Sequence, residues 1–194
     1  MPGPDVILAS ASPRRKELLL LIFDDFLVVP SGFDEDSVPP ELPPSRHVVY
    51  SAETKARQVA QNHPDALVIG ADTVVVAEGY ILGKPADEED ARRMLRLLSG
   101  CTHQVYTGVA AARDHQLHSD FECTDVTFRD LSEDLIARYI ASGEPMDKAG
   151  AYAIQGKGSI LVTGIKGCYF NVVGLPLYRL SRLLEEFGIR PLST

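Results

Sequence analysis

The 194-residue sequence contains few cysteines and no pattern that would pair them. Cys101, Cys123 and Cys168 are odd in number, far apart and outside any CxxC motif. This spacing argues against a disulfide framework and against a cysteine zinc site. We expect reduced thiols, as in a cytosol, and a chain that relies on a hydrophobic core, for which its length and 45% hydrophobic residues suffice.

The sequence also lacks a long apolar segment and an excess of positive charge. Its longest apolar run is Leu18–Phe23, and no basic stretch at the N-terminus precedes a signal-peptide core. We therefore expect a cytoplasmic protein with neither a membrane span nor a signal peptide. The formal charge of −8 disfavours nucleic acid polymers and anionic membranes as partners, whereas a small anion can bind where positive groups cluster.

Nucleotide-binding fingerprints of two common folds are absent: no GxGxxG follows a strand, and there is no GxxxxGK[ST]. The five histidines show no ligand spacing such as HExxH. What is present is an alternation of β-branched apolar runs, such as Val6–Ala9 and Leu67–Ile69, with helix-period segments, which is typical of an α/β fold. Extended stretches on both sides of Arg113–His115 predict an antiparallel hairpin. We expect a mixed sheet flanked by helices in a single domain over residues 1–194.

Five helices are marked by their caps and their apolar spacing. In the third helix, apolar residues recur three and four positions apart, as they do on the buried face of an amphipathic helix. We therefore assign this helix a scaffold role and no chemistry. The predicted helices are Arg14–Ile22 after a Ser12-Pro13 cap, about Ser45–Asn62, Asp87–Leu98, a segment from Ser132 to Gly143, and Pro176–Phe187.

The segment Ser10–Arg15 follows a strand and opens a helix. It brings hydroxyls, two guanidiniums and free backbone N–H groups together, so Ser10, Arg14 and Arg15 are candidate phosphate ligands. The alternative is that Ser12 only caps the helix and both arginines are solvated. Because the helix dipole disfavours cations at this end, unpaired arginines here are slightly costly.

Asp72 interrupts an otherwise apolar strand, and Gly70 just before it permits a bend or a close backbone approach. Asp72 is either a structural acid that bonds loop amides or a general base or metal ligand beside a phosphate. Lys55 lies at the edge of the apolar face of its helix and either snorkels to solvent or points into a cleft. Lys84, after a short hairpin, is either a surface lysine or reaches the Asp72 region. The acidic loop Asp34–Asp36 is either solvated or supplies a second acid for a divalent cation.

The segment Ser142–Gly156 is too long and too lightly polar for an ordinary linker. Gln155 lies between small residues there and can read a base edge through its side-chain amide. The alternative is a well-packed structural loop.

Taken together, five motifs closely resemble the Maf family of nucleoside triphosphate pyrophosphatases, in the family's order and over nearly the whole chain. The resemblance implies an elongated α/β fold related to inosine triphosphate pyrophosphatases, with two lobes around a central cleft, and a homodimer. One departure is Phe23-Asp24, where family members usually have a glycine that ends the first helix. The motifs are Leu8–Arg15, Gly70–Thr73, Gly83–Pro85, Leu98–Gly100 with His103, and Ser142–Gly150.

The resemblance also implies roles for single residues. It assigns Asp72 as the proton acceptor and Glu35 as a second acid. From these roles we hypothesise that Asp72 and Glu35 bind a Mg²⁺ or Mn²⁺ ion. The residues implied to line the phosphate-binding cleft are Ser10, Arg14, Arg15, Lys55 and Lys84.

Three positions, one of them that of Arg14, distinguish subfamilies that act on nucleotides with different bases. Arg14, Thr73 and Gln155 match the dTTP/UTP type, whereas a 7-methyl-GTP type would carry Trp, Gln and Glu there. The implied reaction yields the nucleoside monophosphate and pyrophosphate, with modified pyrimidine nucleotides as further candidate substrates. The alternatives are a nucleotide-binding regulatory module linked to cell-division arrest and a sugar phosphatase of another fold, which would release orthophosphate.

Overall fold

The computed structural model describes residues 6–191. The N-terminal stretch 1–5, which contributes to the expectation of no signal peptide, lies outside these residues. The strands are β1 Val6–Leu8, β2 Leu27–Val28, β3 Leu67–Ala77, β4 Tyr80–Leu82, β5 Thr102–Arg113, β6 Gln116–Phe128 and β7 Val162–Lys166. The helices are α1 Pro13–Leu19, α2 Pro44–Ala60, α3 Glu88–Leu98, α4 Glu133–Ala141, α5 Tyr169–Val173 and α6 Leu177–Glu186. Short 3₁₀ turns cover Glu35–Ser37, Glu144–Asp147, Ala149–Ala151 and Gly156–Leu161.

One sheet holds the strands in the order β2-β1-β3-β5-β6-β7, with β4 beside β3. Strand β1 runs parallel to β2 and β3, whereas β4 is antiparallel to β3, and β7 to β6. The prediction of a mixed α/β sheet is therefore confirmed. Between residues 6 and 191, none of the helices combines the length and apolar character needed to cross a bilayer.

The chain forms two compact units. The first contains the described residues up to Asp72, then Thr107–Glu122, and the described residues from Gly174 onwards. The second contains Thr73–Tyr106 and Cys123–Val173. Each unit has a hydrophobic cluster of its own.

In the first unit, α2 packs on the sheet through small residues. Ala52 and Ala56 of α2 share one buried cluster with Val68 of β3. A Cβ at Gly70 would lie 2.9 Å from the backbone nitrogen of Ala56 and would overlap the carbonyl oxygen of Ala52. The close backbone approach predicted at Gly70 is therefore confirmed, and it brings the middle of α2 against β3.

In the second unit, α3 is the scaffold helix that its spacing predicts. Asp87 caps it by accepting a 2.8 Å hydrogen bond from the Asp90 amide. The buried side of α3 packs in the same cluster as the buried side of α4. Its buried residues are the predicted Ala91, Met94, Leu95 and Leu98.

Two helix assignments differ from the sequence prediction. Helix α1 ends at Leu19, before the predicted Ile22, because the amides of Leu21 and Ile22 bond three residues back, to Leu18 and Leu19, and tighten the chain into turns. The five-residue helix α5 is not predicted, since so short a segment contains too few residues to show a helical period.

Candidate active site

The loop between β1 and α1 is built around two serine hydroxyls. Ser12 caps α1 by accepting from the Arg15 amide at 3.5 Å. Ser10 is buried, and its Oγ accepts from the Ser12 amide and from Arg15 Nη1, both at 3.2 Å. Because β1 pairs in parallel with β3, this loop follows the carboxyl end of β1 beside β3. Donors and a helix N-terminus are thus held at one edge of the first unit, where an anion can bind.

Arg15 is half-buried and is held by hydrogen bonds within the first unit. Its Nε donates to the Gly174 carbonyl oxygen at 2.8 Å, and its Nη1 donates to Ser10. Burial lowers the pKa of the Arg15 guanidinium below its ordinary value, while the charges of Asp72 and Glu35 act to raise it. These charges place Arg15 within electrostatic reach of both carboxylates.

Arg14 behaves differently from its neighbour. It is half-buried at the start of α1, and no hydrogen bond or ion pair joins it to any residue of the described part. A cation at the positive end of a helix is unfavourable without an anion nearby. Arg14 is therefore suited to meet an anionic ligand.

Lys55 joins two carboxylates at the centre of the first unit. Its Nζ lies 2.6 Å from Asp72 Oδ1 and 2.7 Å from Glu35 Oε1. The side chains of Lys55 and Asp72 are 8% and 9% exposed, whereas that of Glu35 is 47% exposed. Lys55 therefore points inward to Asp72, and among residues 6–191 Asp72 bonds this ammonium and no loop amide.

The same pair of carboxylates supplies the kind of oxygen donors that a divalent cation prefers. Since one ammonium contacts both, the oxygens of Asp72 and Glu35 lie within a few ångströms of each other. Within the described ranges, no group of three or more His, Cys, Asp or Glu side chains could hold a metal ion alone. Mg²⁺ commonly takes one or two protein carboxylates and completes its shell with phosphate and water, so a two-carboxylate site is compatible with it.

Three predicted site residues belong to the second unit. Thr73 follows Asp72 on β3 and is half-buried, Lys84 is exposed in the loop after β4, and Gln155 is half-buried just before a 3₁₀ turn. Their convergence with the residues of the first unit stays a prediction.

The segment Ser142–Gly150 contacts the hairpin that precedes Lys84. The Gly150 amide donates to the Gly83 carbonyl oxygen at 3.0 Å, and a Cβ at Gly150 would lie 2.9 Å from the Val75 side chain. Two of the motifs of the sequence, Gly83–Pro85 and Ser142–Gly150, therefore meet within the second unit.

Two residues of this unit lie in motifs of the sequence, but sequence reasoning gave neither of them a role of its own. Glu144 binds backbone amides 13 and 14 positions away. His103 is buried, with its Nε2 2.8 Å from the Tyr152 hydroxyl, and burial lowers its pKa to about 4. No local sequence pattern predicts either set of hydrogen bonds, because the bonding partners are distant in sequence.

The sequence model of the family described as Maf-like protein matches residues 5–187. The chain belongs to the Maf family. The dTTP/UTP pyrophosphatase of Moorella thermoacetica is 53% identical to this Maf chain, over 95% of the chain and 95% of the relative. The dTTP/UTP pyrophosphatase of Bacillus cereus is 52% identical, over 95% and 96%.

Among solved structures, the Ham1 protein of Staphylococcus aureus is similar to this Maf chain with a TM-score of 0.50 and 15% identity. The match covers 95% of this chain and 97% of that one. At this identity the likeness shows a shared fold and nothing about activity. It agrees with the predicted α/β class.

Proposed function

We propose that the chain is a nucleoside triphosphate pyrophosphatase that hydrolyses dTTP and UTP to the nucleoside monophosphate and pyrophosphate. The observation that carries the proposal is the roughly one-half identity to two dTTP/UTP pyrophosphatases over nearly the full length of both partners. The first unit holds the charged groups that this reaction needs.

The phosphates of the substrate are proposed to bind at the start of α1. The Ser10 hydroxyl and the guanidiniums of Arg14 and Arg15 offer donors to phosphate oxygens there. Arg14, which has no ionic partner in the described part of the chain, can pair with phosphate without losing an existing bond. Lys84 is proposed to add a further positive charge. Removing one such electrostatic contact costs about 10²–10³ in rate.

Asp72 is proposed to accept the proton of the water that attacks the α-phosphorus. The bond from Lys55 fixes one carboxylate oxygen, so the position of the acid does not depend on solvent. The attacking oxygen forms a bond to phosphorus, the bond to the bridging oxygen breaks, and pyrophosphate leaves with that oxygen.

A divalent cation, Mg²⁺ or Mn²⁺, would supply charge neutralisation and orientation of the phosphate oxygens. Asp72 and Glu35 would hold it, because both present carboxylate oxygens beside one buried ammonium. Lys55 would then hold the two carboxylates in a fixed orientation through its bonds to both.

Base choice is proposed to depend on Arg14, Thr73 and Gln155. The Gln155 amide carries both a donor and an acceptor, which suits the edge of a uracil or thymine ring. The Maf resemblance further suggests a homodimer in the cytoplasm, and a dimer would be detected by gel filtration with light scattering.

One assay tests the function. The protein is incubated with each common ribo- and deoxyribonucleoside triphosphate in Mg²⁺ or Mn²⁺, and the products are identified. We expect pyrophosphate with UMP from UTP and with dTMP from dTTP. Orthophosphate as the product would indicate a phosphatase, and tight binding without turnover would indicate a regulatory module.

A further inference from the structure

The carboxylate of Glu144 organises the segment that carries Gln155. Its Oε2 accepts from the Lys157 amide at 3.0 Å, and its Oε1 accepts from the Gly158 amide at 2.8 Å and from the Tyr139 hydroxyl at 2.9 Å. Hydrogen bonds to a charged acceptor are stronger than neutral ones. One side chain therefore holds the backbone immediately after Gln155.

Tyr139 holds the backbone on the other side. Its hydroxyl accepts from the Ala153 amide at 3.1 Å while it donates to Glu144. Tyr139 lies on the buried side of α4, so it is a rigid support. Gln155 is thus flanked by two anchored amides, at Ala153 and Lys157, which both lead back to the same Tyr139–Glu144 pair.

The glycines of this segment fit the same arrangement. Gly156 has φ +67°, and a Cβ there would lie 2.5 Å from Glu144 Oε2. A Cβ at Gly158 would lie 2.6 Å from the Tyr139 hydroxyl. A side chain at either glycine would displace the Glu144 carboxylate or the Tyr139 hydroxyl. The two glycines therefore leave the space that these groups occupy.

The charge state of Glu144 supports this role. Burial raises the pKa of its carboxyl, but the hydrogen bonds from Lys157, Gly158 and Tyr139 more than offset burial, and the pKa lies below the ordinary value. Glu144 is therefore an anion at neutral pH and accepts all three bonds.

The Gln155 side chain, which this anchored backbone carries, is available to bind a ligand. Gln155 is half-buried, does not cap the 3₁₀ turn that follows it, and makes no hydrogen bond within residues 6–191. An anchored backbone combined with an uncommitted amide is the arrangement expected of a residue that reads a ligand.

We propose that Glu144, supported by Tyr139, is a positioning residue that sets base preference by holding Gln155 in its reading orientation. This inference rests on the proposed function, because it assigns Gln155 to the pyrimidine of dTTP or UTP. Glu144 itself touches neither the base nor the phosphates in this proposal. Its effect passes through the backbone of residues 153–158.

The test compares Glu144→Ala and Glu144→Gln with Glu133→Gln, which removes an exposed carboxylate at the opposite, N-terminal end of α4, where it bonds Arg96 and not the segment. Steady-state pyrophosphate release is measured with UTP, dTTP and CTP. For Glu144→Ala we expect an increase of about tenfold in KM for UTP, with kcat changed by less than about threefold and the preference over CTP reduced. Glu144→Gln, which keeps one acceptor oxygen, should be intermediate, and Glu133→Gln should match the wild type.

A double-mutant cycle with Gln155→Ala separates positioning from general stability. If Glu144 acts through Gln155, Glu144→Ala adds little further change in KM once Gln155 is alanine. Additive effects, or an unchanged KM and base preference in both Glu144 variants, would overturn the inference. Hydrogen exchange of the Lys157 and Gly158 amides gives a readout without activity, and it should be faster in Glu144→Gln but not in Glu133→Gln.

The outcomes for function and inference are distinguishable. A wild-type protein that releases no pyrophosphate from UTP or dTTP contradicts the proposed function. An active wild type with unchanged Glu144 variants contradicts only the positioning role. If Glu144→Ala fails to fold, Glu144→Gln and Tyr139→Phe carry the same comparison, with thermal denaturation as the check of folding.

Discussion

Lys55 Nζ lies 2.6 Å from Asp72 Oδ1, and both side chains are more than nine-tenths buried. Lys55 is on α2 and Asp72 is on β3, two elements whose backbones meet at Gly70. A buried ion pair is a poor source of stability, because desolvation of both charges opposes their attraction. Its location within electrostatic reach of the Arg15 guanidinium favours a role in chemistry over a role in folding.

Asp72→Asn should abolish turnover while leaving the fold intact. The amide keeps the shape of the side chain and can still accept from Lys55, but it cannot take a proton from water. We expect kcat to fall by about 10²–10⁴, with UTP binding retained. Pyrophosphate release and nucleotide affinity measure the two effects, and Asp65→Asn, an exposed acid in the turn before β3, is the control. Near-normal release from Asp72→Asn would remove Asp72 from the mechanism.

Lys55→Met should destabilise the protein by about 3 kcal/mol, because it leaves the buried Asp72 carboxylate without its cation. The cost should be much smaller when Asp72 is already asparagine. Urea denaturation of the wild type, both single variants and the double variant measures this coupling. An equal cost in both backgrounds would show that the pair does not interact energetically.

Gly70→Ala should lower the free energy of unfolding by about 1–3 kcal/mol, because the added Cβ pushes α2 away from β3. The same displacement moves Lys55, so kcat should fall as well. Gly164→Ala is a matched control, because a Cβ there meets no atom within 4 Å. A Gly70→Ala variant as stable and active as the control would mean that this contact tolerates a methyl group.

His103 should make stability depend on pH. Burial lowers its folded-state pKa to about 4, below the unfolded value near 6.5, and its buried Nδ1 has no hydrogen-bond partner within residues 6–191. Above pH 6.5 the histidine is neutral in both states and carries no penalty. As pH falls from 6.5 to 4, only the unfolded state gains the proton, and about 3 kcal/mol of stability is lost.

His103→Gln isolates this contribution, because it keeps an amide near Tyr152 without a group that titrates in this range. Urea denaturation at pH 8 and pH 4.5 should show a smaller loss of stability in the variant than in the wild type. Parallel losses in both proteins would contradict the assignment to His103.

Local signals in the sequence determine much of this protein. The caps Ser12 and Ser132, the buried residues of α3 and the turn near Asp114 depend on neighbours a few positions away, and all are found where predicted. The motifs likewise identify the Maf family. The end of α1 and the existence of α5 are exceptions, because the turn that ends α1 and the five-residue helix α5 are both too short to have a strong local preference for one secondary structure.

Only the tertiary structure decides where the charged side chains go. From the sequence, Lys55 is as compatible with the surface as with an ion pair, and Glu144 is one letter of a motif. The positions of these side chains depend on the close approach of two backbones at Gly70, on the space that Gly156 leaves for the Glu144 carboxylate, and on partners up to 20 positions away. Secondary-structure signals are local, whereas burial and ion pairing depend on which segments the fold brings together.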